Sequence, residues 1–387
     1  MAHQPLAGKR VIELGTMIAA PFATHILAQL GAEVIKIEPK NGDHFRNYGA
    51  DRAYDGMSPA FIAANAGKKS IALDLKDPAD VEIARKIVQR SDVLLENFRP
   101  GVIARLGFGY EEVKALRPDI IFCSVSGYGQ QGPQRDWPAI DNIVQATSGM
   151  MMLSGAEGDP PVRVGFPIVD TLTAQTAAVA ILGALVQRLQ TGEGALIDVS
   201  MLDASMAFMT SALTPFLITG KTMKRLGNTG YSALPTSGLF EAGDGRHISL
   251  GVVQENQFAK LAKVLEKPEW LEDERYSTND ARRANFDDIY NELAAVFATR
   301  DSADWERDLS DAGIPCGKIR HVGEAVELAG EGALLDLEIP GLPEGAGGRV
   351  PNAGFRMQPG QPGTDVPPPR LDENREEILA WLASDDT

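Results

Sequence analysis

The sequence predicts an α/β fold: a large domain built on a Rossmann-like open parallel sheet, together with a smaller α+β domain. Three observations predict it. Short apolar runs alternate with amphipathic helical segments through the first half of the chain. Between Lys221 and Ser237 the texture changes to Gly, Asn, Thr, Ser and Pro, which marks a boundary near residue 225. Beyond it, a hairpin pattern is followed by amphipathic helices rather than by further strand–helix alternation.

The elements follow in order. Val11-Ile-Glu-Leu14 reads as a short buried strand, and Ala20 to Leu30 as a helix that tolerates Pro21 in its first turn and ends at Gly31. Glu33–Ile37 and Ser70–Asp74 read as strands, and Pro78–Arg90 as a helix with Val81, Ala84, Ile87 and Val88 on one face. Val93–Glu96, Ile120–Ser124 and Leu196–Ser200 complete the strands of this half, and Met201–Leu217 reads as one apolar helix. Ligands of open α/β sheets collect outside the carboxyl ends of the strands, here the turns Gly15–Ala19, Pro39–Gly42 and Asn97–Gly101. Past the boundary, Gly238–Gly251 reads as a hairpin turning at Gly243-Asp-Gly245, with helices over Asn256–Leu265, Phe286–Phe297 and Ser302–Ala312. Pro and Gly from 340 to 369 predict extended chain lying over a surface, and Asp372–Ala383 a last short helix.

Composition narrows the function classes. The 387 residues imply two or three domains. A net charge of −16 disfavours nucleic acid and anionic membrane surfaces as partners. Cys123 and Cys316 form no disulfide framework and read as small buried residues, and the five histidines lack metal-ligand spacing. No cationic segment feeding an apolar one precedes the first strand, and the longest apolar run, Ala177–Val186, is too short to span a bilayer; the expectation is a cytoplasmic protein. Gly15-Thr-Met-Ile-Ala-Ala20 lacks the spacing of a dinucleotide fingerprint and no Walker sequence is present, which disfavours nicotinamide and ATP chemistry.

Pro161-Val-Arg-Val-Gly-Phe-Pro-Ile-Val-Asp170 opens directly onto the almost uncharged helical segment Thr171–Gln187. Asp170 therefore sits at or just before a helix N-terminus. Two uses of it stand open. It caps the helix through its side-chain oxygen, or it is a nucleophile kept ionised by the positive end of the helix.

Seven segments, taken in order, resemble one family, the class III CoA-transferases. They are Ala20-Pro21 with Leu30–Glu38; Asn65–Asp74; Glu96-Asn-Phe-Arg-Pro-Gly101; Ser126–Pro133; the Asp170 stretch; Asp198–Asp203; and Ala312–Gly317. The resemblance covers nearly the full length. It implies that Asp170 is the nucleophile of a carboxylate-exchange reaction that uses CoA as substrate, with no resident cofactor and no metal. It implies that Asn97, Phe98 and Arg105 contact the nucleotide and pantetheine, and that Leu73, Leu106 and Met201 line their path. Read without the family, Arg99 and Arg105 are either solvated surface charges or ligand contacts, and Met201 is either core packing or part of that path. The resemblance further implies an interlocked ring homodimer, with 1–205 and 325–387 as the large CoA-binding domain, 206–225 as linker and 226–324 as the small domain.

The chain departs from the family pattern in three places. Ile18 stands where the formyl-CoA transferases carry a polar Gln, and the lid segment Gly227-Asn-Thr-Gly230 has fewer glycines than theirs. Ile140, before Asp141, stands where the racemase branch carries His, so one of two acid/base groups is missing. The reading that results is a CoA-transferase acting on a small dicarboxylate; the competing ones are an acyl-CoA racemase and a non-catalytic CoA-binding protein. Ile18, Gly227 and Gly230 are expected near the substrate. Arg46, just past the second strand, is expected to bind a distal carboxylate, against the alternatives of a surface residue or a phosphate contact. Ile18 and Met150–Met152 speak instead for an apolar acyl site.

Overall fold

The structure is a computed structural model that describes residues 4–49, 54, 57–342 and 347–384; His3 lies outside them. The chain forms two compact units: 1–150, 163–219 and 330–387 in the first, 151–162 and 220–329 in the second. Residues 206–219, expected as linker, belong to the first unit, and 151–162 to the second.

The first unit begins β1 (Arg10–Leu14), α1 (Ala19–Gln29), β2 (Glu33–Glu38), α2 (Pro59–Asn65), β3 (Lys68–Ala72), α3 (Pro78–Gln89) and β4 (Val93–Glu96). It continues with α4 (Val102–Arg105), α5 (Tyr110–Leu116), β5 (Ile121–Ser126), α6 (Asp141–Thr147), α7 (Ile168–Thr191), β6 (Ala195–Ser200), α8 (Met201–Phe208) and α9 (Thr210–Thr219). The six strands are all parallel, in the order β3-β2-β1-β4-β5-β6, so the order reverses between β1 and β4. Strand side chains alternate between two cores. Val11, Val93, Leu95 and Cys123 pack with Leu27 of α1 and Ile181 of α7 on one face. Ile12, Leu94 and Phe122 pack with Ile87 of α3 and Val113 of α5 on the other. Burial on both faces is why the centres of β1, β4 and β5 read as short apolar runs rather than as an alternation.

Two expected elements differ. The helix expected over Met201–Leu217 is two helices, α8 and α9, bent by 82°; the Met209 N–H closes the first on Ser205 and the Met209 carbonyl opens the second. α7 begins at Ile168 rather than after Asp170, and at 24 residues it is long and apolar enough by composition to cross a membrane. Its inner stripe, Leu172, Ala174, Ala177, Ala178, Ile181 and Leu185, is core, while Val179, Val186 and Leu189 lie exposed on the outer side.

The second unit holds β7 (Ser237–Glu241), β8 (His247–Gly251), α10 (Glu255–Val264), α11 (Asn279–Ala284), α12 (Phe286–Phe297), α13 (Ser302–Asp311), β9 (Cys316–Lys318) and α14 (Val322–Val326). The expected hairpin is present, with β9 added as a third antiparallel strand. Cys316, read as buried, is half-buried there, whereas Cys123 is fully buried in β5. An aromatic core surrounds Phe240, Trp270, Tyr276 and Trp305, and Glu292 accepts from both Trp270 Nε1 and the Tyr276 hydroxyl, at 2.7 and 2.8 Å.

The chain then completes the first unit with β10 (Leu334–Asp336), β11 (Arg349–Pro351) and α15 (Arg375–Ala383). Its last stretch guards the edge strand β3. Asp372 Oδ1 accepts from Ala72 N–H at 2.7 Å, Asn374 Oδ1 accepts from Ser70 N–H at 3.0 Å, and Asn374 N–H returns a bond to the Ser70 carbonyl. An otherwise open row of backbone groups is thereby satisfied.

Candidate active site

At the point where strand order reverses, the loops after β1 and β4 are tied by one side chain. Asn97 Oδ1 accepts from Thr16 N–H and Asn97 Nδ2 donates to the Thr16 carbonyl, both at 2.9 Å. Gly15 is required there, since a Cβ would stand 2.5 Å from that of Ala20. Beneath the loop lies a buried charge network. Lys36 Nζ reaches Glu13 Oε1 at 2.6 Å, Asp43 Oδ2 at 2.9 Å and the Gly15 carbonyl at 2.8 Å. Lys68 Nζ takes the other Glu13 oxygen at 2.7 Å. Asp43 Oδ1 accepts from Met17 N–H, holding Met17 at a φ of 65°. Charges removed from water in this way persist only when paired and hydrogen-bonded. The cations accordingly hold the Glu13 carboxyl at about 2 against its burial.

Asp170 is the third residue of α7, in its first turn, so it does not cap the helix. That task falls to Asp141, the first residue of α6. Its Oδ2 accepts from Val169 N–H at 2.7 Å and from Asp170 N–H at 3.1 Å. Gln145, fully buried, fixes Asp141 by donating to Oδ1 at 2.6 Å, and accepts from Val164 N–H at 2.9 Å. The helix terminus does not keep Asp170 ionised as expected. Burial, and then the like charge of Asp141, push its carboxyl up to about 7. Glu96, at the end of β4, is also pushed up to about 7, chiefly by burial.

Asp170 opens into a cavity of about 700 Å³ lined also by Ile18, Asn97, Phe98 and Met201. The sequence had singled out all five. Arg135, Arg163, Tyr48, Trp137 and Phe166 line it too and had not been assigned a role. Arg135 and Arg163 carried a signal, as cations just past one of the seven family segments and within another. Ile140 is exposed in this cavity, and no histidine stands among its lining residues. A neighbouring cavity of about 570 Å³, outside the ends of β2 and β3, is lined by Leu73, Leu106, Phe98, Lys40, Lys76 and His44. Thr16 and Phe98 border both cavities, so the two form one track along the carboxyl edge of the sheet. The three turns singled out after β1, β2 and β4 all border this track.

Arg105 lies beside the track. A Cβ built on Gly101, whose φ is +79°, would stand 3.3 Å from Arg105 Nη1 and 3.6 Å from Arg135 Nη2, so both guanidiniums turn onto the loop after β4. Met150 is packed under α7 with Val144, Val169 and Leu172 rather than facing the cavity. Arg46 is not brought to the site. It is 5% exposed, pairs with both oxygens of Glu38 at 2.8 and 2.6 Å, donates to the Pro369 carbonyl, and lies over the Phe61 ring. Its donors are spent inside the fold, which corrects the expectation of a substrate contact. Gly227 and Gly230 belong to the second unit. There Gly227 N–H donates to Gly155 and Gly230 N–H to Ser237, and a Cβ at Gly230 would collide with the Ser237 hydroxyl.

Comparison with known proteins agrees with this geometry. A family model described as CoA-transferase family III matches residues 6–375. A succinyl-CoA:glutarate CoA-transferase from Mus musculus is 35% identical over 97% of this chain and 86% of its own length. An acetyl-CoA:oxalate CoA-transferase from Acetobacter aceti is 39% identical over 95% of this chain and 93% of its own. Among solved structures, a CAIB/BAIF family protein from Brucella suis, 30% identical, superposes with a TM-score of 0.87 over 98% of this chain and 99% of that one.

Proposed function

The chain belongs to CoA-transferase family III and is a CoA-transferase, and from that premise we propose that it moves CoA from an acyl-CoA thioester to a small free dicarboxylate with Asp170 as nucleophile. The observation that carries the proposal is the shared cavity. Asp170 stands at one end of a track that passes Asn97, Phe98 and Thr16 to a second cavity lined by Leu73 and Leu106. A long thioester laid along it would place the nucleotide outside β2 and β3 and the acyl carbon at Asp170.

The exchange balances without net hydrolysis. An Asp170 oxygen attacks the thioester carbonyl, the C–S bond breaks, and CoA leaves as thiolate, giving a mixed anhydride. The thiolate attacks the Asp170 acyl carbon and releases the donor acid. The acceptor carboxylate attacks the resulting aspartyl thioester and expels the thiolate. The thiolate then attacks the acceptor acyl carbon, which forms the new thioester and returns the Asp170 carboxylate. Asp170 must be ionised for the first attack, and a carboxyl near 7 is at once partly ionised and more nucleophilic than an ordinary one. The apolar lining from Ile18, Phe45, Trp137 and Phe166 supports exclusion of water from the anhydride.

The dicarboxylate part rests on the two relatives, whose names specify glutarate and oxalate as acids. The exposed Val179, Val186 and Leu189 of α7, with Leu217 and Ile218 of α9, support a homodimer that covers them, and the family resemblance supports its being interlocked. The test is to offer the protein succinyl-CoA with glutarate, oxalate and matched monocarboxylates. Mass spectrometry then shows which new thioester forms; transfer to monocarboxylates alone would refute the acid class.

A further inference from the structure

Three guanidinium groups, Arg99, Arg135 and Arg163, line the cavity that holds Asp170, and they come from different stretches of the chain. Arg99 lies on the loop after β4, and Arg135 turns onto the same loop beside Arg105 at Gly101. That grouping of planar cations outside β4 suits the phosphates of the CoA nucleotide. Arg163 belongs to the segment that leads into α7, seven residues before Asp170. Among the described residues its exposed guanidinium, like that of Arg99, has no hydrogen-bond or ion-pair partner.

The main chain on which it stands is nevertheless held. The next residue, Val164, donates to Gln145, Gln145 donates to Asp141, and Asp141 accepts from Val169 and Asp170. The backbone beside Arg163 and the backbone of the nucleophile thus hang on the same two side chains. The cavity already contains the carboxyls of Asp141 and Asp170. A second substrate carboxylate brought into it needs a cation to offset desolvation and like charge. Arg46 is committed to Glu38.

We infer that Arg163 binds the distal carboxylate of the dicarboxylic acid whose other carboxyl reacts at Asp170, and so sets the choice of acid. This rests on the dicarboxylate reading above. The fork of a guanidinium matches a carboxylate bidentately, and a monocarboxylate of equal length makes no such contact.

A competition between glutarate and pentanoate for the same succinyl-CoA-loaded enzyme tests it. Both acceptors meet one enzyme-bound thioester, so the ratio of their kcat/KM values isolates the distal carboxylate. The wild type should favour glutarate. Arg163→Gln should lower that ratio by about tenfold or more, Arg163→Lys should recover part of it, and Arg135→Gln should reduce turnover of both acids alike. An unchanged ratio in Arg163→Gln, with the wild-type preference for glutarate intact, overturns the role of Arg163 alone. A wild type that treats the two acids equally overturns the dicarboxylate reading, and the inference with it.

Discussion

One oxygen of Asp141 accepts the backbone N–H of Asp170 at 3.1 Å, so one carboxylate caps the helix turn that carries the other. Removing its charge should therefore act on the nucleophile. Asp141→Asn keeps an acceptor oxygen for the helix N–H groups but deletes the like charge that, after burial, raises the Asp170 carboxyl. The rising limb of the kcat/KM–pH profile should shift to lower pH. Asp141→Ala should in addition cost about 1–2 kcal/mol of stability through the lost cap. A limb that stays in place in Asp141→Asn while the protein remains folded would contradict this coupling.

Asp170→Ala should lower transfer by more than about a thousandfold with the fold intact, since the other carboxylate of the cavity, Asp141, is taken up by Gln145 and the N–H groups of Val169 and Asp170. Hydroxylamine added during turnover should inactivate the wild type by attacking the aspartyl thioester. A pH effect on stability follows as well. The folded carboxyl keeps its proton up to about 7, against an ordinary value of 3.8. Between these limits the folded chain binds more protons than the unfolded one, so stability falls as pH rises through that window. Asp170→Asn removes this loss. Its denaturation midpoint should exceed that of the wild type by more at pH 8 than at pH 4; an equal difference at both would count against the shifted carboxyl.

Arg46→Ala should behave as a fold mutation. It takes from the buried Glu38 carboxylate the cation that pairs with both of its oxygens, leaving the Ser70 hydroxyl and the Asp43 N–H as donors to it. Loss of one partner of such a pair costs about 3–5 kcal/mol. Urea titration should show that loss, while the glutarate-to-pentanoate ratio stays at its wild-type value. A selective loss of dicarboxylate turnover without destabilisation would restore Arg46 to the site.

The proposed interlocked homodimer should not dissociate on dilution. Threaded chains separate only by unfolding, so loss of dimer should coincide with loss of helical circular dichroism across a denaturant series. Sedimentation of a folded monomer at nanomolar concentration would exclude threading.

The parallel sheet was legible because β1, β2, β4 and β5 each carry a short apolar run buried on both faces, as in Val11-Ile12, Val34-Ile35, Val93–Leu95 and Ile121–Cys123. α4 and α6, of four and seven residues, were not. They are too short for a 3.6-residue period to register; the first is entered through the positive φ of Gly101 and the second opens on the capping Asp141. In the site, the position of Asp170 at a helix start was readable, but its ionisation was not. A helix terminus stabilises a carboxylate by about 0.3–1 kcal/mol, whereas burial beside a second carboxylate is worth several, and only the fold shows that Asp141 is the neighbour. Arg46 misled because nothing local reveals that Glu38, eight residues earlier, folds back to meet it. Arg163 was in plain view within the Asp170 stretch, but it gains meaning only once Arg46 is seen to be committed to Glu38.

The guarding of β3 by Asp372 and Asn374 bears on how the chain is made. The strand Lys68–Ala72 leaves the ribosome some three hundred positions before the groups that satisfy its edge. Arg46, too, waits for the Pro369 carbonyl. The second unit is nearly continuous in sequence and can close on its own aromatic core while the first is still missing an edge. Synthesis therefore passes through a long interval in which a finished small unit accompanies an open sheet. In that interval β3 offers unpaired backbone to any other strand within reach, a second nascent copy of the same chain included.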